Sequence, residues 1–150
     1  MYSKQQASHL RQEFWTRFGQ YMRPITGANG NTVNWINYRT GTRDLYFRMD
    51  AGSKYASVSI ELKHSDSGQH QHYYEQLEQV RSILEQETGE KWDWVKEIED
   101  ENGQMISRIS ITLKGVNIFN EADWPAVISF FKPRIIALDR FWNHVKEEFE

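Results

Sequence analysis

Asp44, Glu61 and Lys63 are the residues whose types and spacing could do chemistry. Sixteen residues separate Asp44 from the tripeptide Glu61-Leu62-Lys63. Two neighbouring carboxylates can hold Mg²⁺, and a lysine beside them can orient or help activate a water for attack on a phosphate. That chemistry needs a fold that sets Asp44 and Glu61 side by side. The segment DLYFRMDAGSKYASVSIELKH (44–64) reads as a hairpin able to do so. Gly52-Ser53 suits a two-residue type II′ loop, whose first central position needs φ > 0. With that loop, Met49 faces Ala56, Phe47 faces Val58 and Leu45 faces Ile60. On the opposite face Arg48 meets Ser57, Tyr46 meets Ser59 and Asp44 meets Glu61. One face is apolar throughout, and a one-residue slip would mix the two. The same alternation offers a plainer account of the spacing, since charged residues alternate along the solvated face of most half-buried sheets.

Two further groupings invite a chemical reading. His64, Asp66, His70 and His72 could supply ligands to Zn²⁺ or another transition metal. Residues two apart on a helix do not share a face, however, so His70 and His72 diverge, and no strong zinc spacing is present. Arg39, Arg43, Arg48, Lys54 and Lys63 lie near Tyr38, Tyr46 and Tyr55, a combination that could track a phosphate backbone and stack bases. Asp44, Asp50 and Glu61 interrupt that patch, which favours a solvated sheet face. The chain has no glycine-rich phosphate loop and no Gly-x-Ser-x-Gly nucleophile turn.

The elements that position these residues follow from pattern. Ser3 and Gln6 form a capping-box signature, and Ala7, Leu10, Phe14, Phe18 and Met22 recur at helical spacing, so a first helix should end before Pro24. Three β-like runs follow, VNWINYR (33–39), LYFRM (45–49) and YASVSIELK (55–63). A second helix is expected after Asp66 or Ser67, with Tyr73, Leu77, Val80 and Leu84 buried and Gly89 at its end. Asn102-Gly103 then centres a second hairpin. Its expected register sets Trp94 against Ile111, Trp92 against Leu113 and Glu97 against Arg108. Asp123 is placed to cap a last helix whose stripe runs Trp124, Val127, Ile128, Phe131, Ile135, Leu138, Trp142, Val145 and Phe149, with a kink at Pro133. Phe130, Ile136 and Phe141 widen that stripe beyond what one sheet face covers, which makes them candidate interface residues and a homodimer the default assembly.

The expected order is α-β-β-β-α-β-β-α in one domain, 1–150. This is an α/β (α+β) fold with a mostly antiparallel mixed sheet flanked by helices. The helical crossover should leave the third and fourth strands parallel. Composition agrees with a soluble, folded chain: 39% hydrophobic residues, 26% charged and a net charge of −3. That charge argues against a dedicated nucleic-acid coat. The absence of cysteine excludes disulfides and thiolate metal sites. With neither a signal-peptide run nor a span-length apolar stretch, a cytoplasmic location and no membrane role are expected.

The Asp44…Glu61-Leu62-Lys63 spacing, within a helix, three-strand meander, helix and strand, resembles the PD-(D/E)xK nuclease superfamily. The resemblance implies Mg²⁺-dependent phosphodiester cleavage, with Asp44 and Glu61 as metal ligands and Lys63 at the water. Arg43 stands where that superfamily often has a proline. The stretches LRQEFWTRFGQYM, INYRTGTRDLYFRMD, ASVSIELKH, GEKWDWV, GVNIFNEADWP and SFFKPRIIALDRFW cover most of the chain. Through them it also resembles a bacterial family known as domain of unknown function 4268. This resemblance implies a compact α/β domain, found alone or behind nuclease-like regions, and brings no established activity and no catalytic residues. The leading expectation is therefore a non-catalytic module without a cofactor that binds a macromolecule or self-associates through its aromatic outer helices. Whether the partner is protein or nucleic acid stays open. An active or decayed Mg²⁺-dependent nuclease is the alternative.

Overall fold

Helix α1 (Lys4–Met22) begins at the expected capping box: Ser3 Oγ accepts from the Gln6 amide at 3.1 Å, and Gln6 Oε1 accepts from the Ser3 amide at 2.9 Å. The computed structural model describes residues 3–149. Strands β1 (Leu45–Ala51) and β2 (Tyr55–Leu62) follow, then helices α2 (Ser67–Gln79) and α3 (Arg81–Thr88). Strands β3 (Asp93–Glu99) and β4 (Met105–Lys114) lead to the final long helix α4 (Trp124–Val145). The order is α-β-β-α-α-β-β-α, with one strand fewer than expected. All neighbouring strands are antiparallel, in the spatial order β1-β2-β4-β3. β2 and β3 do run in the same direction, but β4 lies between them.

The missing strand is VNWINYR. Its pattern of rings serves loop packing instead of sheet pairing. The buried Trp35 donates Nε1 to the Ile25 carbonyl at 3.0 Å, and Tyr38 stacks on Phe47. Asn29 and Asn34 turn their side-chain oxygens to the amides of Asn31 and Asn37, at 3.1 Å each, which competes with an extended ladder. Only the isolated bridge Thr26↔Thr32 breaks the irregular course of this loop.

Both hairpin registers differ from expectation. Gly52 does not take positive φ, so the two-residue loop does not form. Ala51 pairs with Ala56 across a four-residue connection, and Gly52 N–H donates to the Tyr55 carbonyl at 2.9 Å. Residues 115–118 hold that wider turn, because Gly115 donates to the Lys54 carbonyl and Ile118 to that of Gly52. Phe47 therefore faces Ile60, Met49 faces Val58 and Tyr46 faces Glu61. The shift of two residues leaves each side chain on its expected face. In the second hairpin Asp100 Oδ1 accepts from the amides of Asn102 and Gln104, at 2.9 Å each, and Gly103 takes φ +77°. The longer turn and a bulge between Val95 and Ile98 set Trp94 against Ile109 and Val95 against Arg108. Glu97 does not meet Arg108.

One face of the sheet carries Leu45, Phe47, Ala56, Val58, Ile60, Leu62 and Ile109, all buried beneath the helices. The expected second helix breaks at Val80, and Tyr74, not Tyr73, joins Leu77 and Leu84 inside. Asp66 caps α2 through the Gln69 amide, and Gly89 ends α3 at φ +71°. Asp123 leaves α4 uncapped and accepts from the Asn117 amide instead. The helix runs on through Pro133, which sits on its exposed side. Among the described residues no helix is long and apolar enough to cross a membrane.

Candidate functional site

The uncovered face of the sheet gathers Arg48, Asp50, Glu61 and Arg108 from the charged residues named above. Across its middle run Tyr46, Glu61, Arg108 and Val95, one from each strand in spatial order. The next row is Arg48, Ser59, Ser110 and Asp93. All of these residues but Tyr46 floor a concave cleft of about 900 Å³, also lined by Asp50, Tyr55, Ser57, Thr112, Glu99 and Asp100.

Glu61 lines that cleft and is only 5% exposed although it lies on the uncovered side. Its Oε2 takes Arg108 Nε at 2.9 Å and the Ser59 hydroxyl at 3.2 Å. Lys63 Nζ lies 3.7 Å from Glu61 Oε1 and equally far from Asp100 Oδ2. The result is a chain of alternating charge, Asp100, Lys63, Glu61, Arg108. A carboxylate taken out of water in this way must be paired, and here two cations and a hydroxyl do so. The Gln104 and Asn102 amides and Lys63 hold the Asp100 carboxyl below the usual carboxylate range.

Asp44 is not part of this chain. It takes a left-handed backbone conformation, φ +61°, uncommon for a residue with a side chain. Its carbonyl accepts from the Lys63 amide at 2.8 Å, so it ends the hairpin opposite Lys63 instead of Glu61. Its carboxylate lies 3.7 Å from Arg43. The expected Asp44–Glu61 pair is thus not formed, because the wider turn moves the register by two. Among the described residues no group of three or more His, Asp or Glu side chains is arranged to hold a metal ion.

The histidine grouping also disperses. His64 is buried, stacked on Tyr73 at 4.5 Å, with neither ring nitrogen hydrogen-bonded. Burial pushes its pKa down, opposed in part by the Asp44 carboxylate. His70 donates Nδ1 to the His64 carbonyl at 3.3 Å and sets Nε2 2.5 Å from Ser107 Oγ. Asp66 is occupied as a helix cap and His72 is exposed.

A further buried carboxylate, Asp139, was not singled out from the sequence. It is 3% exposed and accepts from the Ala28 amide at 2.7 Å, the Tyr38 hydroxyl at 2.5 Å and Asn143 Nδ2 at 3.2 Å. Burial first, and then the Asp139 carboxylate, raise the Tyr38 phenol well above its ordinary range. Gly27 allows this approach, since a Cβ there would meet Val33 at 2.6 Å and Asp139 at 3.2 Å. The signal was present: Asp139 shares the stripe of Ile135 and Trp142, where a carboxylate has no place unless partners await it. The candidate interface residues lie on the same helix. Phe141 is 0% and Phe130 6% exposed within the single chain, and Ile136 is half-buried. The aromatic rings of α1 and α4 pack on each other, Trp15 on Phe131 at 5.5 Å and Phe14 on Trp124 at 5.6 Å.

The chain matches the family described as domain of unknown function (DUF4268) over residues 10–146, a span that takes in the whole sheet, both hairpins and α4. The chain belongs to the DUF4268 family. No curated protein and no solved structure matches it. The DUF4268 match encloses the ion-paired cleft and Asp139 alike, and assigns a role to neither.

Proposed function

We propose that this DUF4268 domain is a non-catalytic module that binds a macromolecular partner. The observation that carries the reading is the state of Glu61: Arg108, Ser59 and Lys63 occupy its oxygens, while Asp44 stands apart beside Arg43. A metal ion there would have to displace two cations that the fold already holds in place. The cleft is lined by Asp50, Glu61, Asp93, Glu99, Asp100 and Glu101 against Arg48 and Arg108. That excess of acids disfavours nucleic acid on this face and suits a protein surface of mixed charge. Self-association is the other form of the same reading. Its support is weaker with Phe130 and Phe141 inside the core, which leaves Ile136 to carry it.

The test is a thermal melt with Mg²⁺ or Mn²⁺, run beside a nuclease assay on wild type and Glu61→Ala. A metal site filled at a hundred times its dissociation constant would add about 2.7 kcal/mol, a rise of several degrees for a domain this size. The expected result is no metal-dependent rise and no cleavage. A rise of that size, lost in Glu61→Ala together with metal-dependent cleavage, would replace this reading with the nuclease one.

A further inference from the structure

The two edges of the sheet are built differently. β3 carries a bulge between Val95 and Ile98 and exposes Asp93, Lys96, Glu97 and Glu99 along its length. Charges and a bulge are the usual means of keeping another strand from pairing with an edge. β1 pairs with β2 without interruption and has neither device on its apolar side.

The hydrogen bonding of β1 shows which of its backbone groups are free. Lys63 N–H reaches the Asp44 carbonyl, so residues 44, 46, 48 and 50 turn their N–H and C=O toward β2. Residues 45, 47, 49 and 51 turn theirs outward. Both ends of that outward row are tied: Thr40 Oγ donates to the Leu45 carbonyl at 2.9 Å, and Arg11 Nη1 to the Ala51 carbonyl at 2.8 Å. Between them the N–H and C=O of Phe47 and Met49 have no hydrogen-bond partner among the described residues outside the strand pair. They open into a groove of about 520 Å³ whose walls are Trp15, Ile36, Tyr38, Arg39, Tyr46 and Arg48.

The groove selects among occupants. No carboxylate lines it, while Arg39 and Arg48 are exposed and make no ion pair among the described residues. A strand added here would point alternate side chains to the two faces of the sheet. One set would fall beside Trp15, Ile36 and Tyr38, where apolar groups fit, and the other beside Tyr46 and Arg48, where carboxylates fit. We propose that the β1 edge takes an extended peptide segment of alternating acidic and apolar residues, paired through its main chain to Phe47 and Met49. Main-chain pairing supplies affinity in such additions and the alternate pockets supply choice of sequence.

The proposal rests on the reading of the domain as a binding module and fails separately from it. The probe is a fluorescein-labelled Glu-Val-Glu-Val-Glu-Val-Glu-Val peptide, followed by anisotropy and by amide ¹⁵N–¹H spectra. The comparisons are a Lys-Val counterpart, a version with proline at the central valines and an eight-residue oligo-dT. Saturable, salt-sensitive binding of the Glu-Val peptide is expected, with shifts and slowed exchange centred on the Phe47 and Met49 amides. Arg39→Glu and Arg48→Glu should each weaken it by roughly tenfold with an unchanged melting temperature. The proline and Lys-Val peptides should bind far more weakly. Equal binding of the Lys-Val peptide, tighter binding of oligo-dT, or no change at Phe47 and Met49 would overturn the edge site. None of those results alters the metal melt, on which the broader reading stands or falls.

Discussion

The covered and uncovered faces of one sheet solve the burial of its central strand in different ways. On the covered face Val58 and Ile60 of β2 need nothing but apolar neighbours, and α4 supplies them. On the uncovered face the same strand buries Glu61 and Ser59, and each needs named partners at defined distances. Apolar packing tolerates any neighbour of the right volume, whereas a buried carboxylate specifies which strand must lie alongside. The first face supplies stability; the second fixes which residue of β4 lies beside Glu61.

The largest expected effect falls on the covered face. Phe141→Ala should destabilise the domain by about 3–5 kcal/mol, read as a lower urea midpoint. A change in solution mass with the midpoint intact would move Phe141 back to an interface. Asp139→Ala comes next, because it strands the Ala28 amide and the Tyr38 hydroxyl without an acceptor, at about 1–3 kcal/mol. Tyr38 should then titrate at lower pH, which ultraviolet difference spectra can follow. Glu61→Ala, on the uncovered face, should cost about 1–3 kcal/mol, since Arg108 and Lys63 retain some access to water. Double substitution with Arg108→Met should recover part of that loss, and a purely additive cycle would deny the coupling.

Acid should separate the faces more finely. Folding lowers the pKa of His64 from 6.5, so the unfolded chain takes up this proton first. Its contribution is present above pH 6.5 and declines as pH falls below that value. His64→Phe, which keeps the stack on Tyr73, should flatten this part of the stability profile. Asp100 has its carboxyl lowered by folding from 3.8, so its contribution is present above that pH and is lost as pH falls through the folded value. A profile with the same slope near pH 6 in wild type and His64→Phe would remove His64 from the account.

How much could be read beforehand follows the same division. The faces of the first hairpin were legible, and those of the second as far as its bulge, because side chains alternate along each strand; past the bulge Ile98 lies opposite Ile106 and the faces exchange. The registers were not, because a slip of two residues leaves every face intact and a glycine beside a serine does not dictate the loop length. The turn at 100–104 is decided by the Asp100 side chain, a choice that the Asn102-Gly103 signal conceals. VNWINYR looked like a strand since its rings must be buried, yet Phe47 and Asp139 hold Tyr38 and the Ile25 carbonyl holds Trp35, with no neighbouring ladder. The expected Asp44–Glu61 site depended on register and fell with it. Asp139 broke an apolar stripe in plain view, and only its partners, far away in sequence, give that break a meaning.

Those partners bear on the order in which the chain assembles. The bond from Ala28 to Asp139 closes a separation of 111 positions, and that from Tyr38 to Asp139 one of 101. Contacts of such range cost chain entropy before they return any energy, so they belong late in folding. On a ribosome, the stretch from residue 26 to residue 40 is made well before α4. It must wait without its Asp139 partner until most of α4 has emerged, and the groove that it walls beside the β1 edge stays unfinished for the same interval.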